Sequence, residues 1–69
     1  MRDSEWLQKI GARIMELRTQ NDYTRQDVKN LTGIATSTLY NYEYGITQMS
    51  LKHLKKLAEL YKCDLKDFF

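Results

Sequence analysis

The chain has 69 residues, a formal net charge of +2 at pH 7, 42% hydrophobic residues and one cysteine. This length accommodates one small domain, and the hydrophobic content excludes a disordered chain. No apolar run approaches the ~20 residues of a membrane span, and the first residues lack the apolar block of a signal peptide. A single cysteine forms no internal disulfide, so we expect a cytoplasmic protein.

Apolar residues at helical spacing predict five short helices in one domain covering residues 1–69. The predicted ranges are 4–20, 25–32, 36–44, 51–61 and 65–69. Ser4 is the expected N-cap of helix 1, and Gly11 inside that helix predicts the close approach of another helix. The fold class is therefore an all-α, compact five-helix bundle.

Polar caps and glycines separate the later helices. Thr24 is expected to cap helix 2 in a capping box with Asp27, and Gly33 is expected to end that helix in the left-handed conformation. Either Leu31 or Thr32 should face inward from helix 2. Ser50 should cap helix 4, and Asp64 should begin helix 5. The inward-facing stripe predicted for helix 4 is Leu51, Leu54, Leu57, Ala58 and Tyr61.

The segment 36–44 is locally ambiguous. Tyr40, Tyr42 and Tyr44 alternate along the chain as in a strand, whereas Leu39, Tyr42 and Ile46 mark one face of a helix. Propensity alone does not decide between them. A single strand would have no partner, so the context favours helix 3.

These segments together resemble the Cro/repressor-type helix-turn-helix family, the XRE superfamily. The resemblance covers Ile10 to Phe69. It rests on IGARIMELR in helix 1, on YEYG after Asn41, and on the spacing of Thr24, Val28, Gly33-Ile34 and Leu39, then of Ser50-Leu51, Leu54 and Ala58. It implies a lambda-repressor-like DNA-binding domain, encoded by a bacterium or phage, that acts as a sequence-specific transcriptional regulator, most readily a repressor. It also implies a buried ion pair between Arg18 and Glu43.

In this family helix 3 reads double-stranded DNA in the major groove. The base-reading residues that the resemblance implies are Thr36, Ser37, Tyr40 and Asn41. The carboxamide of Asn41 can pair with N6 and N7 of adenine. Ala35 lacks a capping oxygen, so Thr36 either caps helix 3 or reads a base. The phosphate-binding candidates are Thr24, Arg25, Gln26, Tyr44 and Lys52.

The charge pattern is unusual for a DNA-reading helix. From Asn30 to Leu51 the chain has no lysine or arginine, and Glu43 is its only charged residue. We therefore expect few phosphate contacts and a weak dependence of affinity on salt. The pattern also leaves open a second function, a protein–protein interaction module on the same fold, such as an antitoxin-like or anti-regulator partner. Its tyrosine cluster is of a type favoured at protein interfaces.

One such module contacts few base pairs, so the resemblance implies a homodimer on a palindromic operator. Surplus apolar residues predict a dimer patch made of Trp6, Leu60, Phe68 and Phe69. The alternative is simple burial of Phe68 against Trp6. The sequence indicates no enzyme, cofactor, metal or small-molecule ligand, because His53 has no acidic or nucleophilic partner at a useful spacing.

Overall fold

The computed structural model describes the backbone of residues 2–69 and the side chains of residues 5–69. Its α-helices are α1 (Arg2–Gln20), α2 (Arg25–Thr32), α3 (Thr36–Glu43) and α4 (Leu51–Tyr61). Over the described range the chain is all-α and contains no strand. None of these helices has both the length and the apolarity that crossing a membrane requires.

The fifth predicted α-helix is wrong, because Leu65–Phe68 forms a four-residue 3-10 helix instead. The amide of Asp67 donates to the carbonyl of Asp64 at 2.9 Å, which is the tighter i to i+3 pattern. The Asp67 carboxylate in turn accepts from the Asp64 amide at 2.9 Å. This reciprocal pair closes a single turn and ends the segment before an α-helical repeat forms.

The core lies where the four α-helices and the 3-10 helix meet. Its central residues are Ile14 of α1, Val28 of α2 and Leu39 of α3, and all three are fully buried. Each such side chain contributes about 1.5–3 kcal/mol relative to an exposed position. The other buried apolar residues are Ile10, Leu17, Ile34, Tyr42, Leu54, Leu57, Ala58, Tyr61 and Phe68.

Three apolar residues assigned to inward faces are exposed. Leu31 is 58% exposed, so Thr32 takes the inward position and its hydroxyl donates to the Val28 carbonyl at 2.7 Å. Ile46 lies beyond the end of α3 and does not continue its inner face. Leu51 is the first residue of α4 and precedes the point at which that helix meets the core.

The helix ends follow the local chemistry of the sequence. The Thr24 hydroxyl accepts from the Asp27 amide at 3.0 Å, and the Asp27 carboxylate accepts from the Thr24 amide at 2.9 Å. Gly33 follows α2 with a φ of +81°, and the Ser50 hydroxyl caps α4. The predicted cap at Ser4 is wrong, because α1 already begins at Arg2; the Ser4 side chain lies outside the described residues.

Gly11 allows α1 to contact the C-terminal end of α3 directly. A Cβ atom on Gly11 would lie 2.7 Å from the carbonyl oxygen of Glu43 and still closer to that of Tyr42. Both atoms belong to the backbone, so neither can move aside without displacing α3. This contact is the close approach expected from the sequence, and it accounts for a glycine in the middle of a helix.

Arg18 joins α1 to the last residue of α3. Its Nε donates to Oε2 of Glu43 at 2.6 Å, and its Nη2 donates to Oε1 at 3.2 Å. Its Nη1 donates to the carbonyl of Tyr23 at 2.8 Å, which includes the loop before α2 in the same network. Glu43 is 3% exposed, so its charge depends on these donors in place of water.

Replacing Gly11 with alanine should lower the free energy of unfolding by about 1–3 kcal/mol, the usual cost of overpacking. The better helix propensity of alanine, ~1 kcal/mol, opposes this effect without cancelling it. Urea denaturation measures the change. Lys9→Ala is the matched control, since Lys9 is exposed on the same helix. A Gly11→Ala protein as stable as the wild type would contradict the direct contact between α1 and α3.

Replacing Arg18 with alanine should destabilise the fold by about 3–5 kcal/mol, because the buried Glu43 carboxylate loses a partner. The control is Arg13→Ala. Arg13 pairs with Glu16 at the surface and its Nε donates to the Asp67 carbonyl at 3.2 Å, so the loss of these exposed contacts should cost only about 1–2 kcal/mol. Thermal melting followed by circular dichroism compares the two variants. Equal melting temperatures for both would refute the structural role assigned to Arg18.

Candidate nucleic-acid interface

The outer face of α3 gathers predicted contact residues that are distant from the core. Leu39, Tyr42 and Glu43 point inward and are buried, which fixes the rotation of the helix about its axis. The predicted contact residues away from this buried face are Thr36, Ser37, Tyr40 and Asn41 of α3 and Tyr44 directly after it, with the half-buried Thr38 beside them. Of the five predicted residues, Thr36 and Asn41 are half-buried and the other three are exposed. The spacing of the five positions therefore gives one continuous polar and aromatic surface.

The N-terminal end of α3 has no side-chain cap. Ala35 occupies the cap position, and no side chain accepts a hydrogen bond from the first turn there. Thr36 therefore does not cap the helix, and its hydroxyl has no hydrogen-bond partner among the described side chains and backbone. The first turn also contains no acidic residue. This end of α3 thus retains free amide donors and the positive end of the helix dipole.

Asn41 presents an unengaged carboxamide near the middle of this face. Its backbone carbonyl accepts from the Ile46 amide at 2.8 Å and helps to end α3. Its side-chain amide makes no hydrogen bond to any residue that the structure describes. It therefore keeps both the donor and the acceptor that pairing with an adenine edge would use.

Arg25 lies against the outer face of α3 although it belongs to α2. Its Nε and Nη2 atoms each lie 3.0 Å from Oε1 of Glu43. Its guanidinium carbon lies 5.1 Å from the centre of the Tyr40 ring and 5.9 Å from that of Tyr44. The sequence predicts a phosphate contact for Arg25 and gives no sign of this arrangement. Glu43 consequently binds two guanidinium groups, one from α1 and one from α2.

The remaining phosphate candidates differ in how far they are engaged. Thr24 is committed to its capping box with Asp27, and Nε2 of Gln26 donates to Oδ1 of Asn30 at 3.1 Å. Lys52 is exposed in the first turn of α4, and its ammonium makes no hydrogen bond within residues 5–69. Of these three residues, only Lys52 carries a positive charge that a phosphate could pair with.

Two supporting contacts have no signature in the sequence. The Tyr42 hydroxyl lies 2.6 Å from Nδ1 of His53, which fixes the end of α3 against α4. Nζ of Lys56 donates to the Thr32 carbonyl at 3.1 Å and satisfies the end of α2. Tyr61 is buried nearby; burial raises the pKa of its hydroxyl well above the usual value, and the Glu43 charge raises it further. The Tyr61 hydroxyl therefore stays neutral at physiological pH.

The residues of the predicted dimer patch differ in exposure. Phe68 is 2% exposed and belongs to the core, and Leu60 is partly buried against that core. The Phe69 ring lies against Trp6, with ring centres 6.3 Å apart. Trp6 and Phe69 remain 63% and 67% exposed, and Leu51 borders the same shallow apolar groove.

The chain matches a family model described as Helix-turn-helix over residues 14–68. It is 41% identical over 54 residues to the HTH-type transcriptional regulator AnsR of Bacillus subtilis (strain 168). That match covers 75% of this chain and 47% of the relative, so the chain spans about half the length of AnsR.

Two solved structures share the fold. The restriction-modification controller protein C.AhdI from Aeromonas hydrophila has a TM-score of 0.85 and 30% identity, over 91% of this chain and 96% of that one. The DNA-binding domain of BldD has a TM-score of 0.85 and 22% identity, over 96% of each chain. With most of its length matched by the family model and with α2 and α3 arranged around Gly33, this chain belongs to the XRE-type helix-turn-helix family.

Proposed function

We propose that this chain is a sequence-specific DNA-binding transcriptional regulator that places α3 in the major groove of double-stranded DNA. The main support for this function is that α3 has two chemically different faces. The inner face is fixed by Leu39, Tyr42 and Glu43, and the outer face keeps hydroxyl and carboxamide groups free. The names of two similar proteins agree with this function, since AnsR is a transcriptional regulator and the BldD domain is DNA-binding.

Base reading in this proposal falls to the free polar groups of α3. Asn41 pairs with an adenine edge, Ser37 and Tyr40 offer hydroxyls to neighbouring bases, and Thr36 lies closest to the uncapped helix end. Lys52 contacts the phosphate backbone, with Gln26, Thr24 and Tyr44 at its margins. Polar side chains and helix N-termini are regular phosphate ligands, so contacts of this kind do not require a basic helix.

The test begins with selection of bound duplexes from a random pool, followed by mobility-shift titration of the best sequence. Asn41→Ala should weaken binding to that sequence by about 5- to 150-fold, the equivalent of one bidentate base contact at ~1–3 kcal/mol. Gln20→Ala is the matched control, because Gln20 carries an exposed carboxamide at the end of α1. The titration repeated at two salt concentrations should show a shallow slope, since few phosphates are neutralised.

A failed selection would contradict this function. If no sequence is enriched, and binding is weak and equal on all duplexes, the outer face of α3 reads no DNA. Recovery of a tight protein partner under those conditions would instead support an interaction module on the same fold. An Asn41→Ala protein that binds as tightly as the wild type would remove the role of Asn41 while leaving the regulator function intact.

We further propose that two copies pair through the groove bordered by Trp6, Leu51 and Phe69. These side chains are large, apolar and more than 60% exposed, and they lie together between α1, α4 and the segment after Leu65–Phe68. None of them belongs to α3, so pairing here leaves the reading face uncovered. A symmetric pair presents two copies of α3, and a palindromic operator requires these to reach half-sites about one DNA turn apart, ~34 Å.

Trp6→Ser combined with Leu51→Ser should shift the protein from dimer to monomer in analytical ultracentrifugation, because each change removes apolar area from the pair. Leu31→Ser is the matched control; Leu31 is 58% exposed on α2, away from the groove. Equal dimer fractions in the double variant and the control would exclude this surface as the interface.

A further inference from the structure

The positive charge nearest to the reading face comes from another helix. From Asn30 to Leu51 there is no lysine or arginine, so α3 supplies no cation of its own. The Arg25 guanidinium lies over Tyr40 and Tyr44, whose rings are 46% and 47% exposed and 4.7 Å apart. This position is on the outer side of α3, the side that carries the free base-reading groups.

The guanidinium is also held in one orientation. A guanidinium has five N–H donors in a rigid plane. The side edge of Arg25, formed by Nε and one hydrogen of Nη2, is bound to Oε1 of Glu43. The end edge, formed by Nη1 and the second hydrogen of Nη2, has no hydrogen-bond partner among the described residues. Two parallel donors therefore remain on a side chain that is 30% exposed.

We propose that Arg25 reads a guanine in each half-site through this end edge, donating to O6 and N7. The inference rests on the proposed function and adds a base identity to it. Two parallel donors fit the two major-groove acceptors of guanine, and no other base pair presents that pair of acceptors. Arg25 is thus a specificity-determining residue, and Glu43 and Tyr40 are its positioning residues.

The fixed geometry distinguishes Arg25 from a phosphate ligand. A phosphate contact tolerates many orientations and suits a mobile charge such as Lys52, which has no bound partner within the described chain. A base contact gains from a group whose conformational freedom is already removed, because ordering it then costs nothing at the moment of binding. The carboxylate of Glu43 and the Tyr40 ring restrict Arg25 in this way before DNA arrives.

The decisive experiment removes a single acceptor atom from DNA. Selection with the wild-type protein should yield one strongly preferred guanine per half-site, and replacing that guanine with 7-deazaguanine removes N7 without altering base pairing. We expect the wild type to lose at least 5-fold in affinity on the modified duplex. Arg25→Ala should bind the modified and unmodified duplexes equally, since the partner of N7 is already absent. Lys52→Ala should weaken both duplexes alike and keep the wild-type ratio between them.

The possible results distinguish a failure of the guanine contact from a failure of the proposed DNA-binding function. If Arg25→Ala still prefers the same guanine and weakens every duplex equally, Arg25 binds phosphate and the inference is overturned while the regulator function stands. If the wild type enriches no sequence at all, both fail. Circular dichroism checks that Arg25→Ala folds. We expect it to fold, because Arg18 still pairs with the buried Glu43 carboxylate. The comparison of the two duplexes with wild-type protein needs no variant and remains decisive if Arg25→Ala does not fold.

Discussion

The carboxylate of Glu43 is the interaction on which this domain depends. It is the only charged residue buried within the described part of the chain, and its partners come from two other helices, Arg18 on α1 and Arg25 on α2. A buried carboxylate is tolerated only when donors replace the water it has lost. The position of the end of α3 therefore depends on contacts from both α1 and α2, which couples the packing of the core to the placement of α3.

The C-terminal end of α3 is held by several contacts, whereas its N-terminal end is uncapped. At the C-terminal end, backbone contact with Gly11, the Glu43 ion pairs and the Tyr42–His53 hydrogen bond fix the helix against α1 and α4. At the N-terminal end, Ala35 provides no cap and no acidic side chain is near. Base recognition needs side chains placed to within about half an ångström, which the fixed end supplies. The open end keeps its amide donors for a ligand that carries negative charge.

The sequence was informative where chemistry is local and uninformative where it is not. The helix ends at Thr24, Gly33 and Ser50 were predicted correctly, because capping involves residues at most four positions apart. Periodicity misplaced Leu31 and Leu51, because it gives the face of a helix but not how far the core extends along it. Nothing in a single sequence indicates that Arg25 would meet Glu43, eighteen positions away, since that contact exists only after α2 and α3 have packed.

The contact between Arg25 and Glu43 also bears on how a helix without cations of its own could recognise DNA. Phosphate charge supplies affinity without regard to sequence, whereas base edges supply discrimination. The chain has no cation between Asn30 and Leu51, so α3 itself supplies little attraction to phosphates. Arg25, which lies over Tyr40, is held in one orientation by its hydrogen bonds to Glu43. Under the proposed function, binding to random DNA should be weak, while each correct base contact keeps its full contribution to affinity. The ratio of specific to non-specific affinity governs occupancy among many competing sites, so a small net charge can favour selectivity even as it lowers absolute affinity.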